Sequence, residues 1–261
     1  MSKVGEFDSD SDALESRIAL QERYGNFDLI AWILENLNAR EGMRCLDLGC
    51  GHGAQTLPIA NMLGESGKVT AFDISNESLM VLQAEAVRLG IQGRVNTIHA
   101  PLDSLSEALD GQSFHRVVGS YSLYYVDDAD KLFHTIYDML LPGGVFFLCG
   151  PAFNNNIELR RLVADASGET SPLSDTAPSI FMEETAQHLA HKIFDVVSVS
   201  RFQNPIVYPK PNDVIQYWRN HNLFDAALEN QFVRVVQNQF VNDGSFENSK
   251  RGIGIKAVKS S

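Results

Sequence analysis

Between residues 27 and 150, short apolar runs alternate with stretches of helical periodicity, and this alternation limits the possible folds more than any other feature. Phe27, Ile30, Ala31, Leu34 and Leu37 recur at the spacing of one helix face, with Asn26 placed to cap the first turn. Cys45-Leu46-Asp47-Leu48 then reads as a short strand, and Ala54 to Leu63 as a helix behind a glycine-rich turn. The pattern repeats. Strands are predicted at Val69 to Phe72, Val95 to Ile98, Phe114 to Val118 and Val145 to Cys149. Helices fall between them: one begun by Ser75, one near Ser104 to Leu109, and one along Leu132, Ile136, Met139 and Leu140 that Leu141-Pro142-Gly143-Gly144 stops. Such units close by right-handed crossovers, so the expected class is α/β: a doubly wound, mostly parallel sheet with helices on both faces.

The remainder is less regular. Residues 155–165 carry a helical pattern, and Ser167 to Ser179 is rich in Ser, Thr, Pro and Gly. A helix is predicted at Glu183 to Lys192 and a strand at Val196 to Ser200. A proline-punctuated stretch, Pro205 to Pro211, leads to helices around Val214–Arg219 and Leu223–Phe240, and Gly252 to Val258 is the final strand. Residues 1–12 are acidic and polar, the opposite of a signal peptide, and are expected to be a disordered leader. The rest, 13–261, is read as a single domain.

The chemistry gathers at two strand ends. Asp47-Leu48-Gly49-Cys50-Gly51-His52-Gly53 joins a strand to a helix, where glycine lets the backbone turn sharply and approach a ligand without a Cβ in the way. The following helix offers unpaired N–H groups to an anionic group. Asp73 ends the second strand about 20 residues further on, where a carboxylate can accept hydrogen bonds from both hydroxyls of an adenosine ribose. Gly49, Gly51 and Ala54 also fit the dinucleotide pattern, so these two features alone leave NAD open.

As a set, LDLGCGHG, VTAFDIS, FHRVVGSYSLYYVDD and LLPGGVFFL resemble the motifs of class I S-adenosylmethionine-dependent methyltransferases over about residues 27–150. The resemblance implies a Rossmann-like fold with N-terminal helices and a helical cap from about 151–180 and 205–240, and S-adenosylmethionine as cofactor. It also implies roles. Gly49, Cys50, Gly51 and Gly53 would pass the methionine part, with Asp47 near its amino group. Asp73 would bind the ribose and Ile74 would lie against the adenine. The position that usually bonds the adenine amino group holds Ala100, so either Asp103, beside Leu102, takes that contact or backbone groups do. Ser120 and Tyr121 would border the sulfonium, and Tyr24 would fold over the cofactor. Tyr121 and Tyr124 are the candidate catalytic residues, crowding the loop where the methyl emerges.

Composition narrows the partners. The formal net charge is -12, from 21 basic and 33 acidic residues, which disfavours a nucleic-acid substrate. Cys45, Cys50 and Cys149 lack metal or disulfide spacing, and His188 with His191 has no third ligand, so no metal is expected. No apolar run reaches the length of a membrane span. The expected protein is cytoplasmic and transfers a methyl group to the oxygen, nitrogen or carboxylate of a small molecule. The alternative is attack on the aminocarboxypropyl arm of the same cofactor, by transfer or cyclisation, releasing methylthioadenosine. An NAD-dependent oxidoreductase and a non-catalytic cofactor-binding protein are further rivals.

Overall fold

The computed structural model describes residues 16, 19, 20, 23–172 and 174–260. The leader expected over residues 1–12 lies outside them. In chain order the elements are α1 (Leu29–Leu37), β1 (Arg44–Leu48), α2 (Thr56–Met62), β2 (Lys68–Asp73), α3 (Asn76–Arg88), β3 (Val95–His99), α4 (Leu105–Ala108), β4 (Phe114–Ser120), α5 (Ala129–Met139) and β5 (Leu140–Pro151). They continue with α6 (Ile157–Ser167), α7 (Ala177–Ile180), a π-helical stretch (Phe181–Ala186), α8 (Gln187–Ile193), β6 (Val196–Tyr208), α9 (Pro211–Arg219), α10 (Glu229–Asp243) and β7 (Phe246–Val258).

The seven strands form one sheet in the order β3-β2-β1-β4-β5-β7-β6. β3, β2, β1, β4 and β5 pair parallel, with Asp47 opposite Ala71 on one side and Val118 on the other. Bonds from Gly143 to Lys259 and from Ala152 to Arg251 advance in opposite senses along the two strands, so β7 runs antiparallel to β5. Alternation along β5 shows the double winding. Phe147 meets Trp32 of α1 at 5.4 Å between ring centroids, while its neighbour Phe146 meets Phe133 of α5 at 5.4 Å on the other face.

By contacts the chain divides into two compact units. The first comprises Asp28–Pro151, Ala177–Arg201 and Ile253–Ser261; the second comprises Met1–Phe27, Ala152–Thr176 and Phe202–Gly252, taken over their described residues. The core of the first includes Ile33, Leu37, Ile59, Val69, Val118 and Phe147. That of the second includes Leu159, Ile206, Tyr208, Tyr217, Trp218 and Phe232.

Several boundaries differ from those predicted. The cap of α1 is Asp28, whose side chain accepts from Ala31 N–H at 2.8 Å; Asn26 instead donates its backbone N–H to the Asn204 side chain. β5 begins at Leu140, because Gly143 and Gly144 pair with Lys259 and draw the expected stop into the strand. β6 runs on to Tyr208 and carries Pro205, which an edge strand tolerates since no neighbour needs its missing N–H. α10 starts at Glu229 rather than Leu223, after a short turn capped by the Asp225 side chain. β7 starts at Phe246, and helix resumes at Ala177.

Candidate functional site

The strand order reverses at β1, which lies between β2 and β4, and open α/β sheets leave a crevice at the carboxyl ends of such strands. There the chain turns through Gly49, Gly51 and Gly53, with φ of +72°, +51° and +88°. Side chains rarely adopt these angles. The three glycines serve different ends. A Cβ on Gly49 would lie 2.2 Å from Ser122 Cβ, and one on Gly53 would lie 2.3 Å from Leu82 Cδ1, so packing excludes both. A Cβ on Gly51 would have nothing within 4 Å. That flank of the loop is open.

The loop is tied to β2 through its main chain. Gly49 and Cys50 both donate to the Phe72 carbonyl, at 2.7 and 3.2 Å, and Gly53 donates to the Cys50 carbonyl at 3.0 Å. Gly51 N–H donates to Asp73 Oδ2 at 2.8 Å, while Ser75 N–H donates to Asp73 Oδ1 at 2.8 Å. A carboxylate offers about four acceptor positions, so two remain after these bonds. Beside it, Ile74 is 61% exposed, an apolar side chain left bare at the strand end.

Asp47 is fully buried and accepts from Gln55 Nε2 at 2.7 Å and Thr56 Oγ1 at 2.5 Å, fastening β1 to the start of α2. Burial pushes its carboxyl up to about 6; the two hydrogen bonds pull it down, and the nearby Asp73 charge pushes it up. The folded state therefore favours the protonated acid. Its contribution to stability is fully present below 3.8, the ordinary value, and is lost as pH rises through about 6. Between those limits the native protein should lose about 3 kcal/mol relative to an Asp47→Asn variant. Urea denaturation of both proteins at pH 3.5 and 7 measures this, and parallel pH profiles would refute it.

The loop after β4 closes the other side. The Cys149 thiol donates to Ser120 Oγ at 3.3 Å, Tyr121 N–H donates to the Cys149 carbonyl at 2.9 Å, and Ser122 Oγ donates to the Leu48 carbonyl at 2.6 Å. Between these anchors Tyr121 holds φ +56°, a left-handed conformation costing a bulky residue about 1–2 kcal/mol. Tyr124 packs edge-on against Tyr125, 4.6 Å between centroids, and against Phe181 at 6.4 Å. After β3, Leu102 and Asp103 border a cavity of about 10 Å³ with Val126 and Asp128, and Asp103 Oδ1 accepts from Asp127 N–H at 3.2 Å.

Ser122 thus holds the loops after β1 and β4 together, while Asp73 holds those after β1 and β2. Tyr24 belongs to the second unit, where its hydroxyl donates to Asp213 Oδ2 at 2.7 Å. All three cysteines are buried and free. Burial pushes the Cys45 and Cys149 thiols up to about 12 and the Cys50 thiol well up, so all three stay protonated near neutral pH. Among the described residues no group of three or more His, Cys, Asp or Glu is arranged to hold a metal ion. Sequence reasoning missed Gln55, Thr56 and Ser122. A polar residue opening the helix was the available signal for the first two; a serine past a strand end gives none.

Residues 45–144 match the methyltransferase domain family. The ubiquinone/menaquinone biosynthesis C-methyltransferase UbiE of Haemophilus ducreyi is 34% identical over 105 residues, 40% of each chain. The chain therefore spans about two fifths of the length of such curated relatives. Among solved structures, the YcgJ protein of Bacillus subtilis matches 89% of this chain and 98% of its own, with a TM-score of 0.59 and 17% identity. The arsenic(III) S-adenosylmethionine methyltransferase of Chlamydomonas reinhardtii matches 94% and 74%, with a TM-score of 0.54 and 18% identity. These two likenesses are of fold. Residues 45–144, the glycine loop and Asp73 among them, thus match a methyltransferase domain, and the chain has the fold of those two solved structures.

Proposed function

We propose that the chain transfers the methyl group of S-adenosylmethionine to a small molecule, at oxygen, nitrogen or a carboxylate. The relatives' activity as C-methyltransferases adds a carbon nucleophile to that set. The carrying observation is the open flank of Gly51, whose N–H is held by a carboxylate with acceptor positions to spare. A cofactor built from an amino acid, a ribose and a purine fits those surroundings. Main chain at Gly49 to Gly53 passes the amino-acid part, Asp73 takes the ribose hydroxyls, and exposed Ile74 covers one purine face. Bound there, S-adenosylmethionine supplies a methyl group already activated on a sulfonium.

The chain's own task is then alignment and exclusion of water, which in well-oriented systems lowers barriers by roughly 7–11 kcal/mol. Tyr121 and Tyr124 present aromatic faces suited to a sulfonium cation. The left-handed backbone of Tyr121 is held by its N–H bond to the Cys149 carbonyl before any ligand arrives. A cytoplasmic location accords with the acidic charge and a metabolic acceptor. Among the described residues no helix is long and apolar enough to cross a membrane.

The test incubates the protein with S-adenosylmethionine, with and without a small-molecule cell extract, and identifies the sulfur product by mass spectrometry. S-adenosylhomocysteine formed only with extract supports methyl transfer. Methylthioadenosine formed without extract overturns it in favour of attack on the aminocarboxypropyl arm.

A further inference from the structure

Three neighbouring strands of the first unit end side by side, in the order β1, β2, β3. β1 leads into the glycine loop, β2 ends at Asp73 with Ile74 just beyond, and β3 ends at His99, opposite Asp73 in the register. Neighbouring strands lie about 4.8 Å apart, so a ligand laid from the loop across Asp73 next reaches the end of β3. The side chains of Ile74 and His99 are both exposed there, and no side chain has to move to admit it.

His99 Nε2 lies 2.9 Å from the Ile74 carbonyl oxygen. A carbonyl only accepts, so Nε2 carries a proton and donates it, and in the neutral ring Nδ1 is left with a lone pair. Among the described residues Nδ1 has no protein partner. The ring is therefore tied at one edge and open at the other. The main chain beside it is held as well, since Ala100 N–H donates to the Asp73 carbonyl at 3.1 Å. Of the other groups after β3, Ala100 has no acceptor on its side chain, and Asp103 Oδ1 already accepts from Asp127 N–H at 3.2 Å.

A lone pair at this place has a chemical preference. A purine lying on Ile74 turns an edge toward β3. In adenine that edge carries an amino donor, whereas in hypoxanthine and guanine a carbonyl oxygen stands at the same position. Nδ1 can accept from the first and is repelled by the second.

We propose that His99 reads the base of the cofactor, its Nδ1 accepting a hydrogen bond from the exocyclic amino group of adenine while Nε2–H holds the Ile74 carbonyl. The assignment rests on the reading that S-adenosylmethionine lies along the glycine loop and Asp73. His99 then acts as a specificity residue, setting amino purine against oxo purine.

Calorimetric titration of the full-length protein with S-adenosylhomocysteine and with S-inosylhomocysteine, the same molecule with a carbonyl in place of the amino group, tests this. The native protein should prefer the adenosyl ligand at least about tenfold. His99→Ala should bind that ligand about three- to tenfold more weakly and the inosyl ligand no more weakly than before, so that the preference collapses. His99→Gln, whose amide can donate to the Ile74 carbonyl and still offer an oxygen, should retain it. A preference unchanged in His99→Ala assigns the amino group to another acceptor and overturns the proposal. Equal weakening of both ligands also overturns it, because His99 would then only hold Ile74. A native protein that binds neither ligand removes the cofactor reading itself, and the proposal with it.

Discussion

Replacing Asp73 with alanine is expected to weaken S-adenosylhomocysteine binding roughly 10- to 140-fold, the equivalent of about 1.5–3 kcal/mol for hydrogen bonds to a charged group. Two losses act together. On the proposed contact the ribose hydroxyls lose their acceptor, and the N–H groups of Gly51 and Ser75 lose the carboxylate that sets their direction. Asparagine is a poor substitute, because its amide nitrogen would face one of those donors. Calorimetric titration of the folded variant measures the effect, and native affinity would remove Asp73 from the ribose contact.

Alanine at Gly49 and at Gly51 should fail in opposite ways. At Gly49 the new Cβ collides with Ser122 Cβ while the backbone keeps a left-handed angle. Strain of about 1–2 kcal/mol and overpacking of about 1–3 kcal/mol add, lowering the melting temperature by roughly 4–20 °C. At Gly51 the Cβ meets open space, so only the strain remains and the protein stays folded. Cofactor affinity should nevertheless fall by at least about tenfold, because the proposed path of the cofactor runs through that space. A Gly51→Ala protein that binds S-adenosylhomocysteine normally would place the ligand elsewhere.

These residues were legible in the sequence because their demands are local. A left-handed turn between strand and helix calls for glycine, and a carboxylate closing the next strand stands beside that turn through parallel pairing alone. The alternation of β1 to β5 with helices was legible for the same reason, each element burying a short periodic face. What was hidden depended on distant partners. Pro205 argued against a strand until the sheet order placed β6 at an edge. Leu141 to Gly144 looked like a stop until Lys259 paired with it. The bonds that Asp47 accepts from Gln55 and Thr56 also came only from the fold. Ser122 carries no sequence signal, since a serine after a strand is commonplace.

The bonds around the glycine loop have a thermodynamic corollary. Gly49, Cys50, Gly51 and Gly53 each spend their N–H on a fixed protein acceptor, and Ser122 holds the carbonyl just before them. Such a segment has little backbone freedom left to surrender on association, a term that otherwise reaches about 1–2 kcal/mol for each residue immobilised. Affinity at this edge of the sheet therefore reflects contact quality with little entropic discount, and changes in the ligand should register almost undiluted.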